Sequence, residues 1–257
     1  MNQDERRLYL IEELLKERPE GREIGLPTGK EEQKRLLRAL FNIRPPRPAP
    51  QAFLDVQDAY LREETRQKGV TDAADLALVQ KGIYLWQGDI TTLKCDAIVN
   101  AANAQMLGCF APFHGCIDNA IHTYAGVQLR LACQRLMEQQ GHEEPVGNAK
   151  ITPGFNLPCR YVLHTVGPYI AGKPGRADEE RLAACYRSCL ALAEEHGLSN
   201  VAFCCISTGE FHFPNQRAAE IAVQTVKDYI ANAQSGIEVI FVVYKDVDLA
   251  IYRQILG

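Results

Sequence analysis

An excess of charge of one sign is missing from this 257-residue chain. It carries 28 lysines and arginines against 32 aspartates and glutamates, a formal net charge of -4. With that balance neither a broad duplex-coating surface nor a nucleic-acid partner is expected; a small anion site built from backbone N–H groups and helix ends is not excluded. Long apolar runs are missing too. No stretch reaches the roughly 18 residues of a membrane helix. The amino terminus MNQDERRLYL is charged and lacks the apolar segment of a secretory signal. Internal repeats and low-complexity tails are absent. With 46% hydrophobic and 23% charged residues, the composition excludes a disordered or collagen-like chain.

Cysteine, by contrast, is plentiful. Nine in a long chain, an odd number behind a charged start, do not make a secreted disulfide framework. The expectation is a reducing, cytoplasmic setting in which most are small core residues and a few hold metal. At about 150 residues per domain, the length allows one to two domains. A core of that size needs neither disulfide nor metal to hold it.

Residues 1–80 read as a helical extension. Leu8, Ile11, Leu14 and Leu15 recur at helical spacing, EGREIGLPTG breaks the pattern, and a second helix is expected from Lys30 to Phe41. The tract Arg44–Pro50, RPPRPAP, is an extended connector, and a third helix is expected from Gln51 to Gln67. Residues 81–257 alternate short apolar runs with helical patterns. Strands are expected at Ile83–Gln87, Ala97–Asn100, Lys150–Thr152, Tyr161–Thr165, Val201–Ile206 and Val239–Tyr244. Helices are expected at Cys116–Gln140, Glu179–Glu195, Asn215–Ala233 and Val247–Ile255. This is the pattern of an α/β domain with a helix-covered sheet.

In such sheets ligands bind where strands end and helices begin. Three of these junctions are unusual. Gly88-Asp89-Ile90 places an acid just past a strand, where it caps the next turn or accepts from a ligand amine. Asn100-Ala101-Ala102-Asn103 reads either as turn-forming asparagines or as small residues that let backbone approach a ligand. Ser207-Thr208-Gly209 offers backbone N–H groups and a helix end, an anion nest. Between them, Cys109, His114 and Cys116 have the spacing C-x₄-H-x-C, in a loop that Gly108, Pro112 and Gly115 can bend. Two thiolates and an imidazole suit Zn²⁺, with no fourth ligand in the loop; plain buried cysteines fit the spacing equally.

GDIT, VNAAN followed by LG, the segment Cys116–Gly126 and ISTGEFHFP together resemble a macrodomain, an ADP-ribose-binding fold. They keep the family order over roughly Tyr84 to the C-terminus. MLGCFAPFHGC narrows the resemblance to the zinc-containing macrodomains of bacteria and fungi. That class is associated with mono-ADP-ribosyl hydrolase activity and often with a sirtuin-type ADP-ribosyltransferase. The resemblance implies a three-layer α/β/α fold with a mixed, largely parallel sheet. It also implies one zinc ion, a mono-ADP-ribosylated protein as substrate and ADP-ribose as product.

Residue by residue, the resemblance gives Asp89 the adenine amine, with the Ile90 backbone beside it. It puts Asn103 at the distal ribose, Asn100 as its structural neighbour and Asp118 as the nearby acid; Asp118 otherwise only caps its helix. Ser207, Thr208, Gly209, Glu210 and Phe211 match the second phosphate loop, Phe211 closing over the ribose. Tyr244 packs on adenine or in the core or sheet edge. The chain departs from the MacroD-type pattern where CFAPFHGC replaces a glycine run and where Glu210 and His212 replace small residues. His212 is read as a surface residue or a neighbour of the metal site. His122, His142, His164 and His196 have no metal-like spacing and read as structural or exposed.

The reaction implied is hydrolysis at the anomeric carbon of the distal ribose, with an Asp or Glu carboxylate as the expected leaving group. Positive charge develops on the sugar, as in glycoside hydrolysis. Asp118 would orient or deprotonate water or stabilise the cation, Asn103 would fix the ribose, and zinc would either activate water or orient the sugar. Two rivals use the same pocket: a reader that binds ADP-ribose without cleaving it, favoured if four protein ligands close the zinc, and an O-acetyl-ADP-ribose deacetylase. The N-terminal helices either pack on the core or contact the protein substrate.

Overall fold

Three amphipathic helices lead the chain, α1 (Gln3–Lys16), α2 (Lys30–Ile43) and α3 (Gln51–Lys68). Asn2 opens α1 with a reciprocal cap: its side chain accepts from the Glu5 N–H at 2.9 Å, and the Glu5 carboxylate accepts from the Asn2 N–H at 2.8 Å. The proline tract after α2 cannot continue a helix, and Pro50 sits at the start of α3. Leu10, Ile11, Leu37, Leu40, Phe53 and Leu61 form a small core of their own, which Val127 of the following body joins. The computed structural model describes residues 1–18, 25–232 and 236–257. The break expected over Glu20–Gly29 therefore lies outside the described residues as far as residue 24, as does Ala233, the expected end of a later helix.

The rest of the chain builds a three-layer α/β/α structure on one seven-stranded sheet. Its strands are β2 (Leu78–Gln80), β3 (Ile83–Gln87), β5 (Ala97–Ala102), β6 (Ala149–Pro153), β7 (Tyr161–Val166), β8 (Asn200–Phe203) and β9 (Glu238–Val243), in the order β2-β3-β9-β8-β5-β7-β6. The inner pairs are parallel; the two outer pairs are antiparallel, and the β2 pairing shifts register between Leu78 and Gln80. Two short strands, β1 (Thr71–Asp72) and β4 (Leu93–Lys94), pair separately.

Strand periodicity sorts side chains onto two faces. Val99, Leu163, Phe203, Val239 and Phe241 meet α6 (Arg176–Glu195), α7 (Asn215–Asn232) and α8 (Asp246–Leu256). Ile98, Val162, Ala202, Ile240 and Val242 meet α4 (Ile117–Ala125) and α5 (Val127–Gln140). Both faces are covered, which is why these strands are continuously apolar rather than alternating. No helix among the described residues is long and apolar enough to cross a membrane.

Most expected elements shift at their ends by one to three residues, and two departures have a visible backbone cause. The helix expected over Cys116–Gln140 is two helices, because Gly126 adopts φ +95° between them. The strand expected to Ile206 stops at Phe203, where the chain turns toward Ser207 at φ +65°. Short β2 carried no apolar signal strong enough to be expected.

Gly126 is fixed from both sides. A Cβ there would lie 2.7 Å from Gln57 Nε2 and from Gln128 Oε1, at a φ that side chains resist. Gly126→Ala is expected to cost about 2 kcal/mol of stability in urea unfolding; a change below about 0.5 kcal/mol would show that the joint is not constrained.

Candidate functional site

The carboxyl ends of the strands open a crevice between β5 and β8. Strand β5 stays paired with β7 through Ala102, but with β8 only through Ile98. The helix after β5 goes to one face of the sheet and the helix after β8 to the other. Adjacent strands whose connections diverge in this way leave a cleft for a ligand.

Against the end of β5 lies Asp118, in the first turn of α4 and only 4% exposed. Asn100, fully buried on β5, donates its Nδ2 to Asp118 Oδ1 at 2.8 Å. Asn103, just past β5, lies with its Nδ2 3.4 Å from the other carboxylate oxygen and donates to the Gly108 carbonyl at 3.2 Å. Burial pushes the Asp118 carboxyl up to about 6, against the pull of the Asn100 amide and of Arg130. His122, one turn on, places Nε2 3.5 Å from Asp118 Oδ1. This is not an ion pair, since burial and the neighbouring His164 and Arg130 keep that imidazole neutral. The His122 ring also lies against Gly108, where a Cβ would come within 2.7 Å of it.

Spacing separated His122, Cys133 and His164, yet the fold packs them together in the core, with their ligand-type atoms within 4.8 Å of one another. His164 is already satisfied as a neutral ring: Asn100 Nδ2 stands 3.1 Å from Nδ1 and Thr152 Oγ1 2.9 Å from Nε2. Burial holds its pKa down to about 3. The structural reading of these two histidines therefore fits, as buried groups; His142 and His196 are exposed.

Cys109, His114 and Cys116 are brought together and half-buried, every ligand atom within 4.8 Å of the others and Cys109 Sγ 3.5 Å from His114 Nδ1. Cys116 caps α4, its sulfur accepting the Asn119 N–H at 3.4 Å. Burial, together with the charges of Cys109 and Asp118, pushes the Cys116 thiol up to about 12 despite that hydrogen bond. A cation is what would let both sulfurs ionise side by side. The donor set thus fits zinc in its chemistry, and no fourth donor joins the group among the described residues. Cys133 belongs to the core cluster instead. His212 is not in the metal group; it is exposed, with its ring 5.9 Å from Tyr169.

Facing this loop is the turn after β8. Ser207 at φ +65° and His212 at φ +57° bend it, and Phe213 N–H closes it onto the Ser207 carbonyl at 2.9 Å. Among the described residues the N–H groups of Gly209, Glu210 and Phe211 have no acceptor, and Thr208 bonds back to the Cys205 carbonyl. That is an open set of donors for an anion. Glu210 Oε1 lies 3.4 Å from His114 Nε2, so the two loops touch. Phe211 is half-buried with Tyr169 on its edge at 6.1 Å.

At the far end, Asp89 does cap its turn: Oδ1 accepts from the Thr91 N–H at 3.0 Å and hydroxyl at 2.6 Å. Its second oxygen faces the Lys68 ammonium at 3.0 Å, from α3. Burial raises this carboxyl, but Thr91 and Lys68 outweigh it and hold it below the ordinary value. Ile90 is buried beneath the turn. Tyr244 is 77% exposed, which removes the core alternative. Sequence reasoning missed Lys68 and Tyr169. Neither sits in a recognisable motif, and both reach the cleft only through tertiary contacts.

The raised Asp118 carboxyl has a consequence for stability. The folded protein keeps this proton to higher pH than the unfolded chain, so its stabilising effect is full below 3.8 and lost as pH rises through about 6. In chelator-treated protein, wild type is expected to lose about 2 kcal/mol more than Asp118→Asn between pH 4.5 and 7.5 in urea unfolding. Parallel pH profiles would refute the raised pKa.

Residues 99–222 match the Macro domain family. A protein-ADP-ribose hydrolase of Treponema medium is 55% identical over the full length of both chains. A protein-ADP-ribose hydrolase of Staphylococcus aureus strain MSSA476 is 50% identical over 96% of this chain and 93% of its own. Among solved structures, the Oceanobacillus iheyensis macrodomain with ADP superposes at a TM-score of 0.64 and 38% identity, over 70% of this chain and 93% of its own. With identity of this extent along the whole length and the same layered sheet, the chain belongs to the macrodomain family.

Proposed function

We infer that this protein is a zinc-dependent hydrolase that releases mono-ADP-ribose from modified protein side chains, with Asp- or Glu-linked ADP-ribose as its substrate. The observation that carries the reading is the convergence of three things on one cleft: the buried Asp118 carboxyl with its two asparagine amides, the Cys109–His114–Cys116 loop and the open N–H groups of 209–211. The names of the two relatives, both protein-ADP-ribose hydrolases, support its hydrolase part.

Each group then has a task. The backbone donors of Gly209, Glu210 and Phe211 hold the diphosphate, and Asp89 at the other end accepts from the adenine amine. Both contacts are remote from the bond that breaks, and they position it. Asn103 hydrogen-bonds the distal ribose while Asn100 keeps Asp118 aimed. Asp118, with a pKa near neutrality, takes up the proton of the attacking water at Oδ2 or steadies the charge on the sugar. Phe211 and Tyr169 shield the ribose from bulk water. Cys109, His114 and Cys116 would hold the zinc ion, which when bound supplies a Lewis-acid contact in the open position.

The test uses proteins carrying mono-ADP-ribose on carboxylate side chains, with ADP-ribose release followed in the presence and absence of chelator. His114→Ala and Cys116→Ala are expected to lose zinc and to lower turnover by more than about 100-fold; full activity in metal-free protein would end the metal reading. A carboxylate that accepts a ligand N–H contributes about 1.5–3 kcal/mol, so Asp89→Ala is expected to weaken ADP-ribose binding about 10- to 100-fold with zinc content unchanged. Calorimetry that gave wild-type affinity would remove Asp89 from the adenine end.

A further inference from the structure

The last turns of α2 grip the metal loop. Asn42 is 1% exposed and 71 residues away in sequence, yet its side-chain oxygen accepts the Phe113 N–H at 3.2 Å. Its Nδ2 donates to Thr123 Oγ1 at 2.9 Å, and that hydroxyl donates in turn to the Asn119 carbonyl at 2.7 Å. Arg38 donates to Asn119 Oδ1 at 3.1 Å, and the Asn119 amide donates onward to the Ala111 carbonyl at 2.9 Å. Arg130 joins the two segments from below. Its guanidinium donates to the Leu107 carbonyl at 2.8 Å, and to the carbonyls of Phe41 and Arg44 at the end of α2.

The point that Asn42 holds is the one that most needs holding. Phe113 sits at φ +62°, a left-handed conformation that a bulky side chain resists. His114 follows it directly, and its N–H closes the turn onto the Ala111 carbonyl at 3.3 Å. If Phe113 relaxed to negative φ, the turn would open and the imidazole would swing away from the two sulfurs. The Arg35 guanidinium lies over the Phe113 ring at 4.7 Å, a second contact from the same helix.

We propose that Asn42 is a positioning residue for the metal loop: by holding the Phe113 N–H it fixes the strained turn that aims His114 at Cys109 and Cys116. The helical extension thus supplies part of the ligand geometry and not only apolar cover. This rests on the zinc reading of that triad.

The test is the zinc affinity of the full-length chain, measured by competition with a chromophoric chelator, together with the visible spectrum of the cobalt(II)-substituted protein. Groups that orient metal ligands from outside typically change affinity by about 10- to 100-fold, and Asn42→Ala is expected to weaken zinc within that range and to alter the cobalt spectrum. Thr123→Val keeps the shape of the side chain but removes the hydroxyl that orients Asn42; it is expected to weaken zinc about three- to tenfold. Gln57→Ala is the control. That amide is equally buried and also ties the extension to the body, through the Val127 N–H at 2.9 Å, but it lies outside the loop's network. It is expected to leave zinc affinity and the cobalt spectrum unchanged.

Equal losses in Gln57→Ala and Asn42→Ala would overturn the proposal, since the extension would then act only by packing. So would wild-type affinity in folded Asn42→Ala, or, should that variant not fold, in Thr123→Val. A wild-type chain that takes up no zinc would overturn the metal reading itself, and this inference with it; a wild-type chain that binds zinc with the variants unchanged overturns this inference alone.

Discussion

A carboxyl group withdrawn from water must be held by something, and what holds Asp118 organises this protein. Two side-chain amides reach it, one from within β5 and one from just beyond it. Its own backbone is in the first turn of α4, where the helix favours negative charge. Removing water raises the cost of ionising it, and the Asn100 amide and Arg130 return part of that cost. The balance leaves a group that can hold or release a proton near neutral pH. Strand, helix and the loop between them must all keep their places for that balance to hold.

The same economy of position runs through the cleft walls. Of the five non-glycine residues with positive φ among the described residues, four lie in the loops that follow β5 and β8: Met106, Phe113, Ser207 and His212. Strain concentrated in this way is tolerated where the surroundings over-determine the backbone. Here they do so in part from a distance. The extension reaches one wall through Asn42 and Arg38 and the far end through Lys68, whose ammonium bridges Asp89 and the face of Tyr124 at 3.3 Å. Helices α2 and α3 are thus continuous with the cleft in their hydrogen bonding, although they share a core of their own with α1.

Much of this was legible in the chain. Strand Ile83–Gln87 was expected as found, and the other expected strands fell within a few residues, because their apolar runs are short and bounded by turn formers. The motifs at Asp89, Asn100–Asn103 and Ser207–Phe211 sit just beyond strands, as such motifs do in parallel sheets. The illegible part is of two kinds. Gly126 interrupts an otherwise continuous helical pattern, and periodicity cannot tell a tolerated glycine from a joint. The contacts of Asn42 with Phe113, of Lys68 with Asp89 and of His122 with Cys133 and His164 join segments far apart in sequence, and no local spacing encodes them.

The two outermost strands of the large sheet both run against its parallel centre. One is three residues long with a slipped register, and the other ends at Pro153. A short or proline-terminated margin offers a foreign strand few free hydrogen bonds in step. The valine- and isoleucine-rich interior, which on its own would template stacking between molecules, is sealed at both flanks. Lys150 adds a charge to the proline-terminated edge strand, a further guard against edge-to-edge aggregation.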